Sequence, residues 1–519
     1  MQLSDVNTHD LRAALELGCR CMGRVFNADD NDIPFFGSEI RPHARLSFNA
    51  CHSEAHVPGR HLNALLNAED VLKIAIPDEV IEKHAQAAFF SYSGPVALPL
   101  NRERLGGPLL NFCPHNVREG FHALCALVAY RGSERAQELA EASIATIGDL
   151  WNPETEWDWA RLEGLGVSKQ EYGTFITGLA RCIGPLVKYY RATGSGPALD
   201  LALRLKEKAI GEYFVADGHY DREAFGTHVH STTCVLSSLA QLADLTHDAS
   251  LMARVKAFYD NGLWEIRDAI GWSIENSRDE ANPDLGECNN TGDILETALL
   301  LGQWGHTAAH DDAELILRAH LLPSQLRDNS FITDPPNPEG EDGLREVADR
   351  HLGAFGFPAP YGHLPVGSEW LSFNMDIVGG AVGSICEAVR SAVQTDETGH
   401  HVNLLFDHET PEVAVQSPYT HEALTVTVRE PAPLWVRLAA WVAPEAVCVS
   451  DGDLPWQLAN GQIFIAQPPA GQPLTIRFPL TEREITLQHR TREIQVRLRG
   501  EAVLAMESFG AELTFFVEL

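Results

Sequence analysis

The 519-residue chain predicts a mainly α fold with a β domain: an (α/α)6 toroid followed by a C-terminal antiparallel β-sandwich. Three observations predict it. Between about Asn116 and Leu321, four stretches each read as an apolar helix, a short polar turn and a second amphipathic helix. Their turns recur at intervals of roughly 55 to 60 residues, the mark of a helical-hairpin array whose apolar faces must pack side by side. Two further helical segments, Ala64 to Lys83 and Asp376 to Val393, bring the helices near the number a closed double ring needs. From about His400 the pattern changes to alternating apolar and polar residues rich in Val, Ile, Thr and Phe, as in half-buried strands.

Taken in order, residues 1–60 form an irregular N-terminal segment that packs on the toroid, 61–395 the toroid with its pocket, and 396–519 the β-sandwich. In the first part, HSEAHVPGRHLNALL crowds Glu54, His56, Arg60 and His61 ahead of a helix that starts at about His61. This cluster either binds a polar ligand or is a solvated helix entrance. The hairpins follow as HALCALVAYRGSERAQELAEASI, GLARCIGPLVKYYRATGSGPALDLALRLKEKA, VLSSLAQLADLTHDASLMARVKAFYDNG and ILETALLLGQWGHTAAHDDAELILRAHL. Asp328 to Trp370, with DPPNPEGEDG and FGFPAPYGHLP, is too rich in Pro and Gly for regular helix and reads as a long loop over the toroid mouth. LTVTVRE, LWVRLAAWV, GQIFIAQ, PLTIRFPL, EITLQH, EIQVRLRG and ELTFFVEL are the strands, with turns at Asp451 and Asn460 between them.

Composition narrows the partners. The formal charge of −33 argues against nucleic acid and anionic membranes, which need clustered Lys and Arg. A neutral small molecule or oligosaccharide fits better, and a homodimer is allowed. The chain carries no leader after Met1 and no run long enough to span a bilayer, so it reads as cytoplasmic. The ten cysteines are scattered, which suggests reduced core thiols rather than a disulfide frame or a zinc ribbon.

The chemistry centres on DLGECNNTGDILETALLL, a polar loop that runs into an apolar helix. Asn290 or Thr291 caps that helix on this reading, leaving Glu287 and Cys288 just outside its N-terminus, where the dipole favours anions and lowers a thiol pKa. FGTHVHST and CPHNVREGFH place His228 and His230, and His115, Glu119 and His122, at two more helix entrances. In a toroid such entrances converge on one cavity. Trp151, Trp157, Trp159, Trp272 and Trp370 lie in loops, available either to stack on sugar rings or to pack the core.

The helical repeat, followed by VRLAAWVAPEAVCVSDGDLPWQLANGQIFIAQPPAGQPLTIRFPL and VRLRGEAVLAMESFG, resembles the β-L-arabinofuranosidase family of glycoside hydrolases, family 127. The resemblance implies an (α/α)6 barrel with β-sandwich domains and cleavage of terminal furanosides. It implies a zinc held by one glutamate and three cysteines, one of them the nucleophile, with a separate acid/base glutamate. By resemblance, RDEANPDLGEC places Glu280 as acid/base, Glu287 as zinc glutamate and Cys288 as first cysteine. Two departures stand out. Glu287 and Cys288 are adjacent, whereas the family has one residue between them, and the family's paired cysteines are replaced by Phe373, Asn374, Met375 and Asp376. Without those thiolates that zinc site cannot be assembled, so the expectation is a divergent relative with no metal and no cofactor.

A glycoside hydrolase then needs two carboxyl groups, one protonated and one ionised. The expected catalytic residues are Glu280 as acid and Asp376 as its counterpart, with Glu287 third. His228, His230, His115, Cys288, Tyr361 and Trp370 are expected to bind substrate. Two alternatives remain open: a polysaccharide lyase or sugar epimerase using His and Tyr361, and a non-catalytic carbohydrate-binding protein. A His-x-His pair with a carboxylate also has the composition of a metal site.

Overall fold

The computed structural model describes residues 1–170, 173–278, 284–449, 454–489 and 491–519. It is a mixed fold in which a helical part precedes a strand-rich part, as the two hydrophobic periodicities require. The main helices are α1 (Leu11–Met22), α2 (Val57–Leu72), α3 (Asp78–Ser91), α4 (Val117–Arg131), α5 (Glu134–Leu150) and α6 (Ile183–Thr193). They continue with α7 (Gly196–Glu212), α8 (Val229–Thr246), α9 (Ala249–Asp260), α10 (Cys288–Gln303), α11 (Ala308–Ile316) and α12 (Met375–Ala392).

The even-numbered helices pack in a cycle, α2 on α4, α4 on α6, α6 on α8, α8 on α10, α10 on α12, and α12 back on α2. The odd-numbered ones lie outside, each packed chiefly against one inner partner, with α1 chiefly against α12. Inner helices bury most of their residues: α10 buries Ile294, Leu295, Ala298, Leu299 and Leu301, and Asn289, Asp293 and Thr297 as well. An outer helix such as α5 buries one stripe, Ala136, Ala140, Ile144 and Ile147, the spacing of a single helical face.

Two glycines set how closely the inner helices approach. A Cβ on Gly59 would lie 1.8 Å from the Glu119 carbonyl oxygen, and one on Gly379 would lie 2.8 Å from the Arg60 carbonyl carbon. Alanine at either place would force α2 away from α4 or α12.

The first helical segment differs from the expectation. Ala64 to Lys83 is two helices, α2 and α3, parted at Lys73, whose left-handed backbone (φ 54°) ends α2, and by the Pro77 that precedes α3. α2 also begins four residues earlier than His61, at Val57, because Pro58 suits a first turn. The Pro- and Gly-rich stretch 328–370 is irregular as expected, but much of it is buried rather than a free cover. Arg350 donates to the Arg24 and Phe26 carbonyls (2.8 and 2.6 Å), and Gly286 N donates to the Pro358 carbonyl (2.9 Å). It braces the N-terminal segment and the turn before α10.

The strand-rich part contains two five-stranded sheets. One runs Val393–Asp396, Gly399–Val402, Leu434–Arg437, Gln462–Ile465, Gln457–Ala459; the other His408–Glu409, Val413–Gln416, Leu424–Val428, Pro473–Arg477, Cys448–Val449. Val402, Val436, Ile463 and Ile465 of the first and Val413, Val426, Leu474 and Ile476 of the second share one buried apolar cluster. One pairing, Gly399–Val402 with Leu434–Arg437, is parallel, a departure from the all-antiparallel expectation. A third sheet, Glu482–Gln488, Glu493–Arg499 and Ala502–Met506, belongs elsewhere: Leu487, Ile494, Val496 and Leu498 join the core of the helical part. ELTFFVEL is not a strand but makes isolated bridges at Thr514 and Val517. Arg437 fastens the sheets to α11 through ion pairs with Asp311 and Glu314.

Candidate active site

All six inner helices begin at the same end of the cycle, which gathers the residues just before or within their first turns. From α2 come His56 and Arg60, from α4 Glu119, from the turn before α6 Arg181, from α8 His228 and His230, from α10 Glu287, and from α12 Asp376. Six helix N-termini pointing at one volume favour negative charge there.

The charge at the centre is Glu119, fully buried. Its Oε1 accepts from Arg181 (2.8 Å), Arg118 (3.0 Å) and Arg60 (3.1 Å). Burial alone would raise its pKa, but the three guanidinium groups and His56 outweigh that and hold the carboxyl well below its ordinary range. Glu119 is therefore a fixed anion that organises three cations.

Around it the histidines form a chain of rings. His115 stacks on His56 at 5.4 Å, meets His228 at 5.2 Å, and His228 meets His230 at 5.6 Å. His52, beside His56 at 4.9 Å, and the half-buried Phe36, at 4.6 Å from His52, extend the wall. Burial, then the nearby Arg181, lowers His115 and His228; burial, then Arg60, lowers His230. These rings are neutral near pH 7. Cys51 lies beside Cys113; the hydrogen bond between the thiols, against the cost of burial, and then His52 bring Cys51 down to about 5.

The two carboxyls that matter behave oppositely. Burial, then the charges of Glu275 and Asp376, raise Glu287 to about 8. Burial would also raise Asp376, but the hydrogen bond with His56 Nε2 (3.2 Å), the His56 charge and Arg60 outweigh it and hold Asp376 at about 2. At neutral pH Glu287 carries a proton and Asp376 does not. Asn289 Nδ2 donates to Glu287 Oε1 (2.7 Å), and the main chain of this turn is fixed by Cys288 N donating to the Gly356 carbonyl (3.1 Å).

The sequence-derived residues divide accordingly. His115, His228, His230, Glu287 and Asp376 come together. Glu280 lies outside the described residues. Cys288 is corrected: it is the first residue of α10 with Glu287 as N-cap, and burial pushes its thiol up to about 12 rather than the dipole lowering it. Neither Asn290 nor Thr291 caps α10; their side chains donate to the Ile274 and Gly271 carbonyls (both 2.9 Å). The Tyr361 hydroxyl donates to Asp284 (2.6 Å), and burial with that partner raises its pKa, so it keeps its proton at neutral pH. Trp370 is exposed at the surface beside Phe357, while Trp151, Trp157 and Trp272 are buried and pack the core. Arg60 and Glu119 were visible only as part of helix-entrance clusters. Arg181, Arg118, Asp293 and Phe36 carried no signal in the sequence.

A zinc site of one glutamate and three cysteines does not fit these residues. Among the described residues, burial pushes the Cys288 thiol beside Glu287 up to about 12, and Cys234 is grouped with His230 and Asp293 rather than with Glu287. His228, His230 and Glu287 do place three donor atoms within 4.8 Å of one another. Arg60 Nη2, 3.2 Å from His230 Nε2, sets positive charge against a cation there.

No protein-family model matches the chain, and no curated protein matches it. Solved structures do. A GH127 β-arabinofuranosidase is similar with a TM-score of 0.59 at 13% identity, over 95% of this chain and 79% of that one. A GH127 β-L-arabinofuranosidase from Geobacillus stearothermophilus T6 gives 0.57 at 14%, over 95% and 80%. A sugar epimerase from a ruminal bacterium gives 0.50 at 12%, over 72% and 97%. The chain shares the fold of the two GH127 structures over nearly its whole length and that of the epimerase over about three quarters of it.

Proposed function

We propose that this protein is a carbohydrate-active enzyme, a glycoside hydrolase that cleaves a terminal or small glycoside at the gathered N-termini of an (α/α)6 toroid backed by a β-sandwich. One observation carries the reading: two buried carboxyls in one cluster, Glu287 protonated and Asp376 ionised at neutral pH. Glycosidic cleavage needs that division. Glu287 gives its proton to the leaving oxygen as the bond breaks, while Asp376 opposes the positive charge at the anomeric carbon and takes the proton of the water that adds there, so that a turnover ends with Glu287 ionised and Asp376 protonated. His56 and Arg60 hold Asp376 in its ionised form. Arg118 and Arg181, bound to Glu119, keep the surroundings charged without adding a second acid. Hydrolysis on this reading does not use a zinc-bound thiolate. The likeness to GH127 arabinofuranosidases supports a furanoside as the first substrate to try.

The neutral His228 and His230 rings favour a second reading, base-catalysed epimerisation of a sugar. Product analysis separates the two, since hydrolysis releases an aglycone and epimerisation does not. With aryl furanosides and pyranosides, Glu287→Gln and Asp376→Asn are each expected to lower kcat/KM about 10²- to 10⁴-fold with the fold intact by circular dichroism. Unchanged turnover in both variants would remove the carboxyl pair from the mechanism.

A further inference from the structure

The axis of the inner helices is polar where a helical core is normally apolar. On α10, Asn289, Asp293 and Glu296 share one face at helical spacing, and on α8 His230, Cys234, Ser237 and Gln241 do the same. Behind the active-site cluster these faces enclose a cavity of about 30 Å³, which Arg60, Arg118, His122, Asn289, Asp293 and Gly383 help to line. That space suits one or two water molecules. Three polar atoms that border it, Arg118 Nε, His122 Nδ1 and Asn289 Oδ1, are buried and have no protein partner, and His122 and Asn289 are more than nine-tenths buried. Such atoms call for water.

Toward the helix C-termini a second cavity, of about 460 Å³, opens to solvent, and every inner helix contributes to its wall. Asn63, Lys188, Gln241 and Glu296 line both cavities. Glu296 bridges the axis, accepting from Ser237 and Ser384 (both 2.9 Å). At the active-site end, Asp293 Oδ2 lies 3.4 Å from His230 Nε2, and His230 Nδ1 lies 3.8 Å from Glu287 Oε1.

We propose that His230 and Asp293 form a proton relay that reloads Glu287 from solvent at the opposite end of the helical ring, through the polar axis. The inference rests on Glu287 being the acid. After Glu287 has given its proton to the leaving oxygen, its carboxylate takes a proton from His230 Nδ1 while His230 Nε2 takes one from Asp293. Asp293 is then reprotonated by axial water, which draws one proton from the far mouth; this balances the proton that the attacking water gave to Asp376 and that Asp376 releases as product leaves, and a turn of the His230 ring restores its Nδ1–H tautomer for the next cycle. Burial, then Arg60, keeps His230 neutral, so the ring passes a proton instead of storing one. Burial raises Asp293 to about 7 against the pull of Arg118, close to its partner at the other end of the relay. The route leaves the acid reloadable while product still fills the front mouth.

Gly383 is the place to block it. A Cβ there meets only Asn63 Nδ2, at 3.4 Å, so a side chain can start there, and a leucine would extend it toward the cavity that Gly383 lines. Gly383→Leu and Asp293→Asn are each expected to lower steady-state kcat at least about tenfold, with a larger solvent deuterium effect and an unchanged single-turnover rate. Gly383→Ala, too short to block, should behave as wild type. A high-resolution crystal structure of the wild type is expected to show ordered water from Asp293 to the far mouth, interrupted in Gly383→Leu. Should Gly383→Leu not fold, Asp293→Asn decides, since it keeps volume and removes the transferred proton. Wild-type kcat and isotope effect in both folded variants, or a dry axis, would overturn the relay. Failure to hydrolyse any glycoside would instead strike at the proposed function, and the water structure would still decide the path.

Discussion

The two ends of the inner ring are built from the same six helices and from similar residue types, yet they differ in kind. At the far end charges pair locally and stay partly wet: Arg191 with Asp244 at 2.7 Å, and Arg390 with Glu387 at 3.1 Å and Asp70 at 3.0 Å, all with side chains about a third exposed or more. At the N-terminal end a single carboxylate serves three guanidinium groups, all out of solvent or nearly so. Helix N-termini draw anions inward, and burial then sets those anions against one another, so that Glu287 keeps its proton while Glu119 and Asp376 lose theirs. Residue type supplies the charges. Their depth in the fold decides which of them are reactive.

The largest effect should come from breaking the hub. Glu119→Gln leaves Arg60, Arg118 and Arg181 buried without their shared counter-charge. Removing one partner of a buried ion pair costs about 3–5 kcal/mol, and urea unfolding at pH 7 should show a loss of that order. A loss below about 1 kcal/mol would mean that the hub is no more than a surface-like pair and that the contrast between the ends is superficial.

That contrast was only half legible in the sequence. The helical hairpins were plain, because an apolar stripe followed by a polar turn has few other solutions, and so were most strands, whose alternation matches a half-buried sheet. The break at Lys73 is invisible in the pattern because a left-handed lysine leaves no mark there, and ELTFFVEL reads as a strand because alternation alone cannot say whether a partner strand exists. In the site, His228, His230 and Glu287 were found because each sits at a polar-to-apolar boundary. Arg181, inside GLARCIG, reads like any helical arginine. Its burial against Glu119 depends on α6 packing beside α4, a contact 62 residues apart in sequence. The polar axis was hidden for the same reason, since Asn289, Asp293 and Glu296 look like an exposed face until five other helices surround them.

A middle-sized effect tests the protonated state itself. Glu287 titrates near its ordinary 4.5 when unfolded and near 8 when folded. Between those values the folded chain binds the extra proton, so stability falls as pH rises through that window and levels off above it. Glu287→Gln removes this component. The difference in unfolding free energy between pH 5 and pH 8 should shrink in the variant, leaving the slopes of the other shifted groups, among them Glu54, Asp268, Asp293 and Glu501, each raised to about 7 chiefly by burial, and the buried histidines, whose lowered pKa acts in the opposite direction. In the active enzyme the same proton should set the alkaline limb of kcat/KM near pH 8. An identical pH dependence of stability in variant and wild type would show that Glu287 is ionised in the folded chain.

The smallest effect belongs to the far end. Asp244 accepts from Arg191 and from Trp304 Nε1 (3.0 Å), and its side chain is about a third exposed. In Asp244→Asn the amide oxygen can still accept from the indole, so only a screened charge is lost, worth less than about 1 kcal/mol. Added salt should narrow even that difference, because water already shields the pair. The same variant should leave kcat/KM unchanged, since the residue stands at the opposite end of the helices from Glu287 and Asp376. A loss as large as that of Glu119→Gln, insensitive to salt, would mean that both ends are equally desolvated. Depth in the fold could then no longer account for why only one of them carries chemistry.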